Sequence, residues 1–133
     1  MIVLDTDVIS ELMRPRPSSR LLARLGDVAV REQATTAITL GELAYGARKA
    51  GRPALYDRAI QLLHGVRILD FDRPAAERYG ELRLLLERTG RGLADPDLRI
   101  AAIAAANRRK LITGNPRHFV RVPDLIVEDW IRG

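Results

Sequence analysis

Three acidic residues stand where a charged side chain is costly unless it is used. Asp5 closes the apolar run Ile2-Val3-Leu4, Glu42 interrupts the run from Leu40 to Ala47, and Asp97 heads the alanine-rich stretch that continues to Arg109. Carboxylates gathered in one pocket repel one another and take up protons unless a cation neutralises them. Hard divalent ions such as Mg2+ or Mn2+ prefer oxygen ligands, keep several waters, and can activate a water while screening a phosphate. Metal-assisted hydrolysis of a phosphate ester is therefore the chemistry these residue types offer. Each acid also has a purely structural use. Asp5 or Asp7 could cap a helix that starts beside it, and Asp95 or Asp97 could cap one starting near Pro96, since proline suits the first helical position. Glu42 could sit on the solvent face of an amphipathic helix.

The elements that must position these acids alternate along the chain. Ile2 to Leu4 reads as a buried strand, Val8 to Met13 as a short helix broken by Pro15 and Pro17, and Ser18 to Leu25 as another helix. Thr36 to Thr39 reads as a second strand, followed by helical spacing at Leu40, Leu43, Ala44 and Ala47 until Gly51 and Pro53. A helix over Leu55 to Leu63, a strand over Arg67 to Phe71 and a helix with its stripe at Ala75, Tyr79, Leu82 and Leu86 come next, closed by Gly90 and Gly92. The helix from about Pro96 to Arg109 is apolar nearly all round, which marks a central, buried one. Leu111-Ile112-Thr113 is a strand, Gly114-Asn115-Pro116 a turn, and Leu125 to Val127 a last strand. Strands alternating with helices predict an α/β fold, a three-layer α/β/α sandwich around a mainly parallel central sheet. Ligands of such sheets sit outside the carboxyl ends of the strands, where Asp5 falls.

At 133 residues the chain is expected to form one domain, residues 1–133. No apolar stretch approaches the roughly 20 residues of a membrane span, and Met1 to Leu4 leads directly into acids rather than a secretory signal, so a cytoplasmic location is the expectation. With no cysteine, thiolate metal sites and disulfides are excluded, which leaves the carboxylates and His64 and His118 as possible ligands. Net charge is +5, and only Lys49 and Lys110 among the 22 basic residues are not arginine. Arginine forks match phosphate oxygens, which favours a polyanionic partner, although a GC-rich coding sequence enriches arginine equally well.

Four segments in order carry a family resemblance: Met1 to Ser10; Ile38-Thr39-Leu40-Gly41-Glu42-Leu43 with Gly46; Asp97 to Ala102; and Leu111 to Phe119. With these the chain resembles the PIN-domain nucleases, and within them the VapC-type toxins of toxin–antitoxin pairs. The resemblance implies that Asp5, Glu42 and Asp97 are metal-binding catalytic acids, with Asp97 preferred to Asp95 by its spacing to Ile100-Ala101-Ala102. It implies Mg2+ or Mn2+ as cofactor and RNA, tRNA among the candidates, as substrate. The cut would be made by metal-activated water in line and leave a 5′-phosphate and a 3′-hydroxyl. A cognate antitoxin over the acidic pocket and a homodimer are implied too. Thr6, Asp95, Thr113 and Asn115 are auxiliary positions, and Arg14, Arg48, Arg99 and Arg117 are candidates to hold the RNA backbone. Many members carry one more acid before the last helix, where this chain has Asn115 and His118. His118 could contact substrate, but beside Phe119 it reads first as a partly buried packing residue, and His64, near a helix end, as one that interacts with the carbonyls there.

Two other readings stay open at the level of sequence. Val3-Leu4-Asp5-Thr6-Asp7 also resembles the Asp-x-Asp of haloacid dehalogenase-type phosphatases, with Asp5 as nucleophile and Lys110 and Asp95-Pro96-Asp97 as later elements. A catalytically inert RNA-binding module would keep the fold and charge without turnover, and Asn115 in place of an acid is its support.

Overall fold

The computed structural model describes all 133 residues. Five short strands form the sheet: β1 (Ile2–Leu4), β2 (Gln33–Thr36), β3 (Arg67–Leu69), β4 (Lys110–Ile112) and β5 (Val127–Glu128). Their order is β3-β2-β1-β4-β5, and every neighbouring pair is parallel. Six helices connect them: α1 (Thr6–Leu12), α2 (Ser19–Gly26), α3 (Ala37–Lys49), α4 (Ala54–Leu62), α5 (Arg73–Arg88) and α6 (Asp95–Ala106). None is long and apolar enough to cross a membrane.

The strands carry apolar residues on both faces because both faces are covered. Side chains alternate across a strand, so Val3 and Leu111 enter one core with Leu82, Leu86 and the α6 residues Leu98 to Ala104, except Arg99. Ile2, Leu4 and Ile112 enter the other, with Val8, Ile9, Leu21, Ala59, Leu63 and Trp130. The alanines of α6 let it lie close under α5 and the sheet, and Ile100 to Ala104 are fully buried. The predicted three-layer sandwich and the central helix therefore stand, with a sheet that is wholly rather than mainly parallel.

Most boundaries shift by one to three residues from the sequence expectation, and three of the shifts bear on the site. The second strand is Gln33–Thr36, not Thr36 to Thr39; Thr36 ends it and caps α3, its Oγ1 accepting from the Thr39 N–H at 3.0 Å. A polar strand survives inside because its groups are paired: the Thr35 hydroxyl donates to the Leu4 carbonyl at 2.8 Å and the Gln33 amide to the Val28 carbonyl at 3.1 Å. Helix α1 starts at Thr6 rather than Val8, since Asp5 is its N-cap and accepts from the Thr6 N–H at 2.8 Å. The last strand is Val127–Glu128, one or two residues beyond its expected place.

Strand order fixes where a ligand can enter. From β1 the chain adds β2 and β3 on one side, then β4 and β5 on the other. The connections leave the carboxyl ends of β1 and β4 in opposite directions, and a crevice opens between these two strands.

Candidate active site

Asp5 lies in that crevice, directly after β1 and only 5% exposed. One carboxylate oxygen accepts from the Thr6 N–H and the other from the hydroxyl of Thr113, the residue after β4, at 2.8 Å. Neither bond is to a cation. Burial above all, then the charge of Asp7 and, less strongly, that of Asp97, pushes the Asp5 carboxyl from its ordinary 3.8 up to about 7. The residue is thus both the helix cap that sequence allowed and an acid held at the edge of ionisation.

Asp7, which the sequence offers only as a possible cap, is half-buried and turned across the crevice. Its Oδ2 accepts from the Gly114 N–H and from the Asn115 side-chain amide, each at 2.9 Å. Thr113 Oγ1 lies 3.5 Å from its other oxygen and accepts from the Asn115 N–H at 3.1 Å. A Cβ at position 114 would stand 2.8 Å from Asp7 Oδ2, so only glycine lets the β4 loop come this close. Asp7 is raised as well, first by burial, with Asp129 contributing like charge. Asp129 follows β5 on the same rim. An expected strand that ends too early hides it, although it carries the same strand-end signal as Asp5.

Glu42 reaches the site through Thr6. The Thr6 hydroxyl donates to Glu42 Oε1 at 2.6 Å and stands 3.0 Å from the Thr39 hydroxyl, itself 3.2 Å from that of Thr36. Thr39 is a member of the site that the sequence reading misses, although it lies one helical turn before Glu42 and faces the same way. Glu42 is therefore not simply a solvent-face glutamate, and it lines a cleft with Thr6, Arg14, Arg52 and Arg58.

Asp97 approaches Asp5 from the first turn of α6, near enough for its charge to be felt there. Its carboxyl is raised by burial, against the lowering effect of His118, whose Nδ1 is 3.5 Å from Asp97 Oδ2. His118 is thus an exposed neighbour of an acid and not the packing residue expected; Phe119 alone is buried. Asp97 and His118 share a cleft with Arg91, Arg117 and Arg121.

Other candidates do not join the rim. Asp95 caps nothing: Ala94 is the N-cap of α6, and the Asp95 carboxylate takes Arg99 at 2.6 Å and the Tyr79 hydroxyl. Arg99 lies over the rings of Phe71 and Tyr79, which uses it structurally. Lys110 pairs in register with Ile2, at the far end of β4 from Thr113, and binds Glu128 at 2.6 Å. It cannot serve Asp5, which removes the lysine that the phosphatase reading needed. His64 is exposed in the turn after α4, and Arg48 lies in a separate cleft with Tyr56 and Asp57.

No three acid or histidine side chains form a ready chelating group. The donor chemistry nevertheless fits a hard divalent cation. Asp5 is a buried oxygen donor whose ionisation is opposed by burial and by two neighbouring carboxylates, and added positive charge would favour its ionised form. No second hydrogen bond is made to Glu42 Oε2 or to Asp97 Oδ1 that would occupy them.

Comparison with known proteins agrees with this geometry. Residues 2–125 match the family model of the PIN domain. The chain is 33% identical to the ribonuclease VapC2 of Rickettsia felis over 96% of each protein, and 32% identical to the tRNA(fMet)-specific endonuclease VapC of Shigella flexneri, again over 96% of each. It superposes with TM-score 0.87 and 31% identity on a chain of the Rickettsia felis VapBC2 complex solved with a DNA fragment from its promoter, covering 98% of this chain and 99% of that one. The protein therefore belongs to the PIN-domain family, among its VapC-type ribonuclease toxins.

Proposed function

We propose that the chain is a divalent-metal-dependent endoribonuclease, the toxin of a toxin–antitoxin pair, with Asp5, Glu42 and Asp97 as its metal-holding catalytic acids. The observation that carries this reading is the buried Asp5 carboxyl at the strand-order switch, with Asp97 close enough to raise it and Glu42 tied in through Thr6. Mg2+ or Mn2+ suits the all-oxygen donor set. When bound, such an ion supplies positive charge at the scissile phosphate and acidity to an attacking water.

The chain's own residues do the rest. Thr113 and the Thr6 N–H fix the Asp5 carboxylate, and the Thr6 hydroxyl fixes Glu42, so both acids point without searching rotamers. Asp7 locks the β4 loop through Gly114 and Asn115, holding Thr113 in place. Arg117 and Arg121, which line the cleft of Asp97, and Arg14, which lines that of Glu42 while paired with Glu11, are the candidates to hold backbone phosphates on either side of the cut. Hydrolysis then forms a bond from water oxygen to phosphorus and breaks the bond to the 3′ oxygen, which leaves as a hydroxyl and frees a 5′-phosphate. The names of the relatives support tRNA as a substrate to test first. They also support a cognate antitoxin, and we extend the reading to one that covers the rim and to a homodimer.

Cleavage of a labelled tRNA pool tests the proposal. Activity should stop in EDTA and return with Mg2+ or Mn2+, and Asp97→Asn should abolish it while the circular-dichroism spectrum stays unchanged. Cleavage that persists in chelator, or a folded Asp97→Asn protein with full activity, would refute it. RNA binding without turnover in any divalent metal would identify the inert module instead.

A further inference from the structure

The opposite edge of the sheet, where β4 begins, carries a second charged cleft that the acidic rim does not use. Its volume is about 510 Å3, and Arg78, Arg108, Arg109, Lys110, Asp124 and Ile126 line it. Residues 108 to 110 lead into the amino end of β4, whereas Thr113 beside Asp5 follows its carboxyl end.

Charge in this cleft is unbalanced. Lys110 is paired with Glu128 at 2.6 Å, and Arg78 lies 3.7 Å from Glu81 and 3.8 Å from Asp124. Neither Arg108 nor Arg109 has a carboxylate within 4.0 Å, the reach of a salt bridge. Arg109 is only 5% exposed, and its Nη1 is closed off from water and donates to nothing. Burial first, and then the like charge of Arg67 at the start of β3 on the same edge, makes the Arg109 cation less favourable. A buried guanidinium without a counter-charge is rare, because desolvation is repaid only by a well-placed anion. The backbone is also unusual at this place. Arg108 and Asp124 are the only non-glycine residues with positive φ, at 53° and 60°, and both line the cleft.

We propose that this cleft is a binding site for a phosphate dianion, held by Arg108 and Arg109 with Arg78 and Lys110 at its rim. Two unpaired guanidinium groups match the charge of about −1.5 to −2 that a monoester or inorganic phosphate carries at neutral pH. The single charge of an internal phosphodiester leaves one arginine uncompensated. Guanidinium forks fit tetrahedral oxyanions, and Arg109, which lines the cleft, has at Nη1 a donor without an acceptor. Free inorganic phosphate and the terminal phosphate of a nucleic acid share this chemistry.

Calorimetric titration at fixed ionic strength distinguishes them. The probes are inorganic phosphate and a short deoxyoligonucleotide with and without a 5′-phosphate, a substrate class that a ribonuclease leaves intact. Saturable binding of inorganic phosphate, weakened at least tenfold by Arg108→Gln, is expected and assigns the site to free phosphate. Binding of the 5′-phosphorylated oligonucleotide at least tenfold tighter than its unphosphorylated twin, again lost in Arg108→Gln, assigns it to a nucleic-acid end. Arg108 is exposed, so this variant should fold, which circular dichroism verifies. No saturable binding of either phosphorylated probe at millimolar concentration, or binding indifferent to both Arg108→Gln and Arg109→Gln in folded protein, overturns the proposal.

Discussion

Asp5→Asn removes one charge from the most buried acid of the rim and keeps its shape, so its effects on stability and on cleavage should have opposite signs. The Asp5 carboxyl is pushed from 3.8 up to about 7, which means that the folded chain holds the proton more tightly than the unfolded one. Below pH 3.8 this costs nothing; between 3.8 and 7 the cost of ionisation grows, and above 7 it is fully present. At one pKa unit per 1.36 kcal/mol the ceiling is about 4 kcal/mol near pH 8 and about 1.5 kcal/mol near pH 5. Asparagine forfeits one charged acceptor for Thr6 or Thr113, a loss of roughly 1 to 2 kcal/mol. In chelator, urea unfolding should therefore show the variant about 2 kcal/mol more stable than the parent at pH 8, and nearly equal to it at pH 5. Adding Mg2+ should stabilise the parent and not the variant. A variant that is less stable at pH 8, or a difference that ignores pH, would show that the rim does not oppose the Asp5 charge, and the case for a cation there would fail with it.

Neighbouring positions give further tests. Gly114→Ala puts a Cβ 2.8 Å from Asp7 Oδ2 and 3.0 Å from Ile131, and should cost about 1 to 3 kcal/mol in thermal or urea unfolding. Thr113→Val removes the hydroxyl donated to Asp5, so the Asp5 carboxyl should rise further and the pH–activity profile should move to higher pH, with a stability loss of about 1 kcal/mol. Thr6→Val leaves Glu42 without its 2.6 Å donor, and single-turnover cleavage should slow by roughly 10- to 100-fold with little change in RNA affinity. An unchanged rate would take Glu42 positioning out of the mechanism.

Much of the scaffold is legible in the sequence because its strands are buried on both faces. Ile2-Val3-Leu4 and Leu111-Ile112 are continuous apolar runs, and the acid or threonine that ends each run lies where the sheet opens. The alanine-rich face of α6 announces its central place in the same way. What escapes is whatever depends on partners far along the chain. Gln33-Ala34-Thr35-Thr36 carries three polar residues and makes a strand between β1 and β3, 30 or more residues away, with the Thr35 hydroxyl satisfied by the Leu4 carbonyl. Asp7 looks like a second cap, since nothing local reveals that Gly114 and Asn115, more than 100 residues away, will donate to it. Asn115, which sequence can read as a missing acid, is an amide for a reason visible in space: it donates to Asp7, which a carboxylate could not do while ionised. His118 misleads because its neighbour Phe119 is buried and it is not.

The shared cation site is tested most directly by Mn2+ titration of the purified chain, followed by electron paramagnetic resonance, for the parent and for Asp5→Asn, Glu42→Gln and Asp97→Asn in turn. If the three carboxylates serve one site, the parent binds Mn2+ saturably and each substitution weakens that binding by tenfold or more in folded protein. Binding that survives all three substitutions, or none in the parent at millimolar Mn2+, would contradict it.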